Sequence, residues 1–219
     1  SLVGSEMCIR DRPTYALNAK KSILRMLDPL KILDREWREL KLGVKKAKHD
    51  YHSFVLSTSS SNGPDSRTVI LRALDEDKPA IWFHSDKRSK KILHLEENEN
   101  VSALFYDKSR KVQLRINGIA DIEEDIEHNK KIWDSMKPES KLCYMGPYAP
   151  SQKISQFEPN TLEKSAHDLD KEDEHLGLSR FCRIRITIKK LDWLKLDYKG
   201  HQRLEFKFGK RTKTQWIAS

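Results

Sequence analysis

Between residues 22 and 48 the apolar side chains Ile23, Leu24, Leu27, Leu30, Leu33, Trp37, Leu40 and Val44 recur mostly three or four positions apart. That spacing lines them along one helical face, so one or two amphipathic helices are expected. Pro29 is expected to separate them, because its ring is excluded from a helix interior. The basic cluster at 45–48 suits a helix C-terminus.

Beyond this segment the period drops to two. Residues 52–59, 66–74 and 80–85 read as strands, joined by turns at 62–65 (Asn62, Gly63, Pro64, Asp65) and at 75–79. A short helix is expected over 86–95, capped by Ser85 or Asp86, with Ile92 and Leu95 on its apolar side. Strands follow at 101–107 and 111–122, across a tight turn at Lys108, Ser109 and Arg110. Asp121 is expected to cap a helix bearing Ile122, Ile126, Trp133 and Met136. Residues 137–160, with four prolines and Gly146, read as irregular, and 161–176 as acidic and helical or loose. Two strands are expected at 181–191 and 193–198, and a closing hairpin at 204–208 and 212–217 around Gly209. The fold class is therefore mainly β: an antiparallel barrel with peripheral helices.

Composition narrows the class. The chain has 219 residues, 37% hydrophobic and 34% charged, with aromatic and β-branched residues spread throughout, which is not a disorder signature. No apolar run approaches the roughly 20 residues of a membrane helix, and no secretory signal pattern appears, so a soluble cytoplasmic protein is expected. The net charge of +9 fits either a nucleic acid or a phosphorylated small molecule. Lys and Arg are interspersed with Asp and Glu, and no aromatic array follows a basic strand face, so nucleic acid is not the expected partner. The three cysteines form no CxxC pair. The acidic stretch 167–175 lacks ligand spacing and reads as a solvated loop, so no metal is expected. Residues 2–12 match the translation of a common transposon-based sequencing adapter. Segment 1–12 is accordingly expected to be a non-native leader, followed by an N-terminal helical segment (13–49) and a barrel domain (50–219).

Four segments carry candidate chemistry. In the strand Arg67, Thr68, Val69, Ile70, Leu71, Arg72 the two arginines are an odd number of positions apart and point to opposite faces. Phe83, His84 and Ser85 end a strand where Lys87, Arg88, Ser89, Lys90 and Lys91 crowd a helix start. Cations there oppose the helix dipole, which an external anion would offset. Gln113 shares a strand face with Arg115 and offers an amide to a ring edge. Trp193 precedes Lys199, Gly200, His201, Gln202 and Arg203, an aromatic wall followed by cationic or titratable groups. Each segment alone also reads as a solvated strand, turn or hairpin.

Taken in order, the four segments resemble the pyridoxamine 5'-phosphate oxidase family, over roughly residues 50–219, and look closer to a less-characterised branch than to the vitamin B6 enzyme. Arg67 to Arg72 is similar to the family's Arg-x-Val-Leu-Leu-Lys strand. Phe83-His84-Ser85 with Arg88-Ser89-Lys90 is similar to Phe-Tyr-Thr-Asn followed by Ser-Arg-Lys. Gln113 resembles the Gln of Arg-Gln-Val, and Trp193 with Lys199 to Arg203 resembles the late Trp before Arg-x-His-Asp-Arg. The resemblance implies a Greek-key split barrel that binds FMN as cofactor, at the interface of a homodimer, with the late Trp and Arg coming from the second subunit. It implies FMN contacts from Arg67, Thr68, Val69, Ile70, Phe83, His84, Ser85, Arg88, Ser89, Lys90, Gln113, Trp193 and Arg203. Of these, Arg67, Arg88, Ser89 and Lys90 would hold the phosphate, and Gln113 and Trp193 would frame the ring. Arg72, His201 and Arg203 would act on the substrate, with Trp133, Lys137, Ser140 and Lys199 further around it. The implied activity is hydride transfer from a pyridoxine- or pyridoxamine-phosphate-like substrate to FMN, with reoxidation by oxygen. The chain departs from the family pattern on the substrate side. Arg72 stands for Lys, Lys199 for Arg and Gln202 for Asp, and of the family's Tyr, Arg and Ser only the Ser is kept, at Ser140. A reductase or flavin-binding protein with another substrate is therefore the second expectation. A cofactor-free basic barrel that binds nucleic acid is the reading from a different class.

Overall fold

The computed structural model describes residues 28–218. The expected leader at 1–12 and the helical turns expected ahead of Pro29 lie outside them. The chain divides into two units, residues 1–39 and 40–219. The described part of the first is the opening of helix α1 (Pro29–Lys45). Pro29 takes the first helical position, where a missing N–H costs little, and Asp28 Oδ1 accepts from Leu30 N at 3.0 Å.

The second unit is built on one antiparallel sheet of nine strands. They are β1 (Ser53–Ser60), β2 (Gly63–Ile70), β3 (Ala73–Asp75), β4 (Ala80–Asp86), β5 (Asn100–Asp107), β6 (Val112–Glu123), β7 (Phe181–Lys195), β8 (Gln202–Lys207) and β9 (Lys213–Ile217). The order is β2-β1-β5-β6-β7-β4-β3, with β8 and β9 continuing from β7. β1 lies beside β5 although three strands intervene in the chain, which is the Greek-key crossing. The end strands β2 and β3 are separated in sequence by only Leu71 and Arg72, so the sheet has to curl until its two edges meet. The seam is visible in the hydrogen bonds. Leu71 N donates to His52 O at 2.9 Å, on the β1 side, and Arg72 N donates to Trp82 O at 2.8 Å, on the β4 side. The single strand expected over 66–74 is thus two strands, broken where the backbone changes partner.

β7 is one strand of 15 residues rather than the two expected. It pairs β6 along its length, and on its other edge first β4, from Ala80 to Asp86, and then β8. A bulge at Asn117/Gly118 marks the point where this second partner changes. Gly118 belongs there because a Cβ would stand 2.4 Å from Thr187 O.

Alternation fills the interior. Phe54 stacks on Phe105 at 4.7 Å and meets Phe83 edge-on at 6.1 Å. With Leu56, Ile81, Leu114, Ile116, Ile184 and Ile186 these residues are fully buried, each contributing roughly 1.5–3 kcal/mol by area.

Four helices attach to the barrel: α2 (Lys90–Glu97), α3 (Ile126–Asp134), α4 (Pro138–Lys141) and α5 (Lys171–Arg180). α2 starts later than expected, with Ser89 rather than Ser85 or Asp86 at the cap position, because β4 runs on to pair Asp86 with Phe181. Asp125, not Asp121, caps α3, accepting from His128 N at 2.9 Å. Asp121 is still in β6, opposite Arg185. The acidic stretch serves the fold: Asp170 and Asp173 form a capping box at the start of α5, and Lys164 pairs with both. A satellite core of Trp133, Tyr144, Met145 and Phe181 holds α3 and α5 to the start of β7. Among the described residues no helix is long and apolar enough to cross a membrane.

Candidate functional site

Where β4 gives way to α2, the hydroxyl in the helix-capping position is used elsewhere. Ser89 makes no side-chain cap bond. Its Oγ donates to Asp86 O at 2.7 Å, lies 3.1 Å from Ser85 Oγ and accepts from Lys91 Nζ at 3.0 Å. Lys91 Nζ also donates to Ser85 Oγ at 3.1 Å. Burial, followed by the Arg67 charge, holds Lys91 below the ordinary lysine value, against the opposing pull of Asp86 and Asp65, so Arg67 is close enough for its charge to be felt there. The Arg67 guanidinium donates to Thr58 Oγ1 at 2.7 Å and to Asp65 Oδ2 at 2.6 Å, and Thr58 Oγ1 lies 3.0 Å from His94 Nδ1. Two neighbouring polar groups result, Lys91 with Ser85 and Ser89 at the β4–α2 turn and Arg67 with Thr58 and Asp65 on β1 and β2. Holding like charges close is unfavourable by itself. A dianion between them would relieve it and accept charge-assisted hydrogen bonds.

Lys91 lies in the candidate segment but is not among the residues the resemblance places on FMN, whereas Arg88 and Lys90 are. The Arg88 guanidinium forks onto Asp86, with Nη2 to Oδ2 at 2.7 Å, and donates to Gly146 O at 3.2 Å. It ties the turn to the loop at Gly146 and is not part of the cluster. Lys90 is exposed on the first residue of α2. The helical phase held the clue. Position 91 lies about 40° from Leu95 and about 100° from Ile92, the buried face of α2, whereas position 90 lies on the far side.

A second polar group sits on the outer sheet face. Gln113 pairs across to Tyr106 and Leu194, and Leu194 to Arg203, in one cross-strand row. Two strand spacings put Gln113 and Arg203 about 10 Å apart. Beside this row the Asp192 carboxylate, 4% exposed, accepts from Arg115 Nη2 at 2.8 Å and from Arg203 Nη2 and Nε at 2.6 and 3.0 Å. Arg67 pairs with inward Leu56, so within one chain Arg67 and Gln113 stand on opposite faces of the sheet. Arg67, Lys90 and Gln113, expected around one small molecule, do not converge in a single copy.

The other expected residues fall into three groups. Phe83, Trp133 and Trp193 are core. Phe83 is fully buried, Trp193 lies between Leu114 and Leu204, and Trp133, 1% exposed, donates Nε1 to Glu174 at 2.6 Å. All three are buried within a single chain. Thr68 is exposed on the outer side of β2, and Val69 and Ile70 are half-buried. Arg72, Lys137, Lys199 and His201 are exposed, and Ser140 is half-buried in α4. Lys199 and His201 occupy the β7–β8 connection, where His201 Nδ1 accepts from Asp197 N at 3.1 Å.

His84 is a different case. It lies edge-on to Phe181 at 4.9 Å, and its Nδ1 is buried with no partner among the described residues. Burial, with the Arg72 and Arg183 charges behind it, pushes its pKa down to about 3. The imidazole is neutral at physiological pH, a hydrogen-bonding group and not a charge.

Comparison with known proteins agrees with this arrangement. A family model described as the pyridoxamine 5'-phosphate oxidase FMN-binding domain matches residues 34–124, which hold Thr58, Arg67, Ser85, Ser89, Lys91 and Gln113. The pyridoxine/pyridoxamine 5'-phosphate oxidase of Pelagibacter ubique is 31% identical over 105 residues, 48% of each chain. The chain thus matches about half the length of that relative. The enzyme of the same name from Granulibacter bethesdensis is 26% identical over 180 residues, covering 78% of this chain and 82% of the relative. In three dimensions the chain is similar to a pyridoxamine 5'-phosphate oxidase-related, FMN binding protein from Nostoc punctiforme, with TM-score 0.67, 18% identity and coverage of 88% of this chain and 99% of that one. It is also similar to PhzG from Burkholderia lata, with TM-score 0.60, 19% identity and coverage of 88% and 93%. At these identities the structural likeness shows the fold. Residues 34–124 thus match the pyridoxamine 5'-phosphate oxidase FMN-binding domain, and the chain has the split-barrel fold of its structural neighbours.

Proposed function

We propose that this protein is an FMN-dependent oxidoreductase working as a homodimer, with oxidation of a phosphorylated pyridoxine- or pyridoxamine-like substrate as the leading activity. The observation that carries the reading is the Lys91, Ser85 and Ser89 contact set, with the Arg67 charge felt beside it, which fits a phosphate dianion in charge and in hydrogen-bond donors. These four residues would hold the FMN phosphate. When bound, FMN would supply the redox chemistry, as acceptor of a hydride, with oxygen as the proposed final oxidant. The chain's part is to bind and orient.

A second copy is part of the proposal. Gln113 and Arg203 would meet the polar edge of the ring, yet they stand on the sheet face opposite Arg67. One molecule touches both sets where the outer face of one copy abuts the cluster of another. That outer face exposes Val55, Leu104 and Tyr106 at 36–41%, with Val55 and Leu104 directly paired, an apolar strip suited to burial against a partner.

A reductase or flavin-binding protein acting on another substrate is favoured by one observation. Trp133, in the segment expected to contact the substrate, is in the core and bonded to Glu174. An absorbance spectrum of the purified protein tests the cofactor, and bound oxidised flavin is the expected result. Peroxide release with pyridoxine and pyridoxamine phosphates separates oxidase from reductase, and its absence in a flavin-loaded dimer overturns the leading activity.

A further inference from the structure

We propose that the cavity enclosed by α2, α3, α5 and the end of β6 is a second binding site, for a small amine with an apolar body. The cavity measures about 820 Å³, within the range of small-molecule sites. It shares no residue with the Arg67–Lys91 cluster or the Gln113 row, so the inference does not rest on the flavin reading.

Its apolar wall is formed by Ile92, Ile122, Leu178 and Phe181, drawn from four separate elements. Asn129 also lines it and is only 7% exposed. The Asn129 Nδ2 donates to Glu123 O at 2.8 Å, which fixes the amide orientation. Its Oδ1 is buried with no partner among the described residues. A buried acceptor left without a donor is costly, and a small side-chain shift that let a ligand N–H reach it from the cavity would remove that cost.

The charges point the same way. The Glu123 carboxylate is already used, accepting from Trp82 Nε1 at 2.7 Å and Arg183 Nη1 at 2.9 Å. Glu96 and Glu124 line the cavity with no partner among the described residues, against Lys87 and the titratable His175. On a chain of net charge +9 this cavity is a place where the lining turns acidic. A carboxylate or phosphate ligand would meet the Glu96 and Glu124 carboxylates, with Lys87 the one lysine of the lining to offset them. An ammonium group finds acceptors, and an apolar body finds the isoleucines and Phe181.

The test uses the full chain with FMN added, and 2-phenylethylamine and tryptamine as probes beside their matched acids, 3-phenylpropionate and indole-3-propionate. Isothermal titration should show saturable binding of the amines, one per chain, and none of the acids. Ile126 stands at the mouth, 76% exposed, so Ile126→Trp should narrow the entrance without disturbing the core. This variant and Glu124→Lys should each weaken amine binding by roughly tenfold or more, while circular dichroism and flavin content stay as in the wild type. The proposal is overturned if the wild type shows no saturable amine binding at millimolar probe. It is equally overturned if the acids bind as well as the amines, or if both folded variants bind the amines unchanged.

Discussion

Lys91 Nζ donates to Ser89 Oγ at 3.0 Å, and the same hydroxyl occupies the position that would cap α2. The helix start gives up a cap, usually worth about 1 kcal/mol, and the hydroxyl serves the cation cluster instead. Lys91→Met should therefore weaken FMN binding by roughly 10- to 100-fold, the equivalent of one charge-assisted hydrogen bond. Lys90→Met, on the exposed side of the helix, should change it by no more than roughly threefold. A fluorescence titration with FMN reads both, and equal losses would remove Lys91 from its assigned place.

The outer strip of Val55, Leu104 and Tyr106 makes the dimer testable. Tyr106→Glu with Leu104→Glu puts two carboxylates on a surface proposed to be buried. Light scattering should show conversion to monomer, and flavin should be lost even though the phosphate cluster is untouched. A flavin-loaded monomer would contradict the shared site.

His84 gives a pH signature. Its native pKa of about 3 lies below the ordinary 6.5, so between those values the unfolded chain binds the extra proton and stability rises with pH. The gain is complete above about pH 6.5 and is lost as pH falls toward 3. The slope reaches at most about 1.4 kcal/mol per pH unit for one proton. Urea denaturation of the wild type and of His84→Phe between pH 4 and 7 should show a shallower pH dependence in the variant. Parallel curves would mean that His84 is protonated in the native state.

Gly118 is the tightest point of the barrel wall. Because a Cβ there would meet Thr187 O at 2.4 Å, Gly118→Ala has to move backbone and not a flexible side chain. A loss of about 1–3 kcal/mol is expected, read as a lower urea midpoint at unchanged slope. Gly200→Ala tests a different cost. Nothing lies near its Cβ, but φ is +131°, so the penalty there comes from conformation alone.

Alternation of apolar and polar residues was enough to indicate β1, β4, β5, β6 and the β8–β9 hairpin, because a strand's period is set by its own backbone. Arg67, Ser85, Ser89 and Gln113 could be singled out for a similar reason: residue types that suit a phosphate and a ring edge recur in a recognisable order, and their part in binding FMN is the reading proposed above. What could not be read was which side chains are used internally. Arg88 is taken by Asp86 and Gly146, and Trp133 and Trp193 by the core. Lys91, not Lys90, turns toward Ser85 because β4 runs on to Asp86 and delays the start of α2.

The sequence by itself determined that this is a β-rich barrel of strands with a basic, phosphate-competent turn before a short helix, since those properties follow from local periodicity and residue type. Only the tertiary structure decided where the sheet closes, that Arg67 and Gln113 face opposite ways, and that Asn129 is left with an unpaired oxygen beside a cavity. Such relations depend on strand register and on segments far apart in the chain, and no local pattern encodes the distance between them.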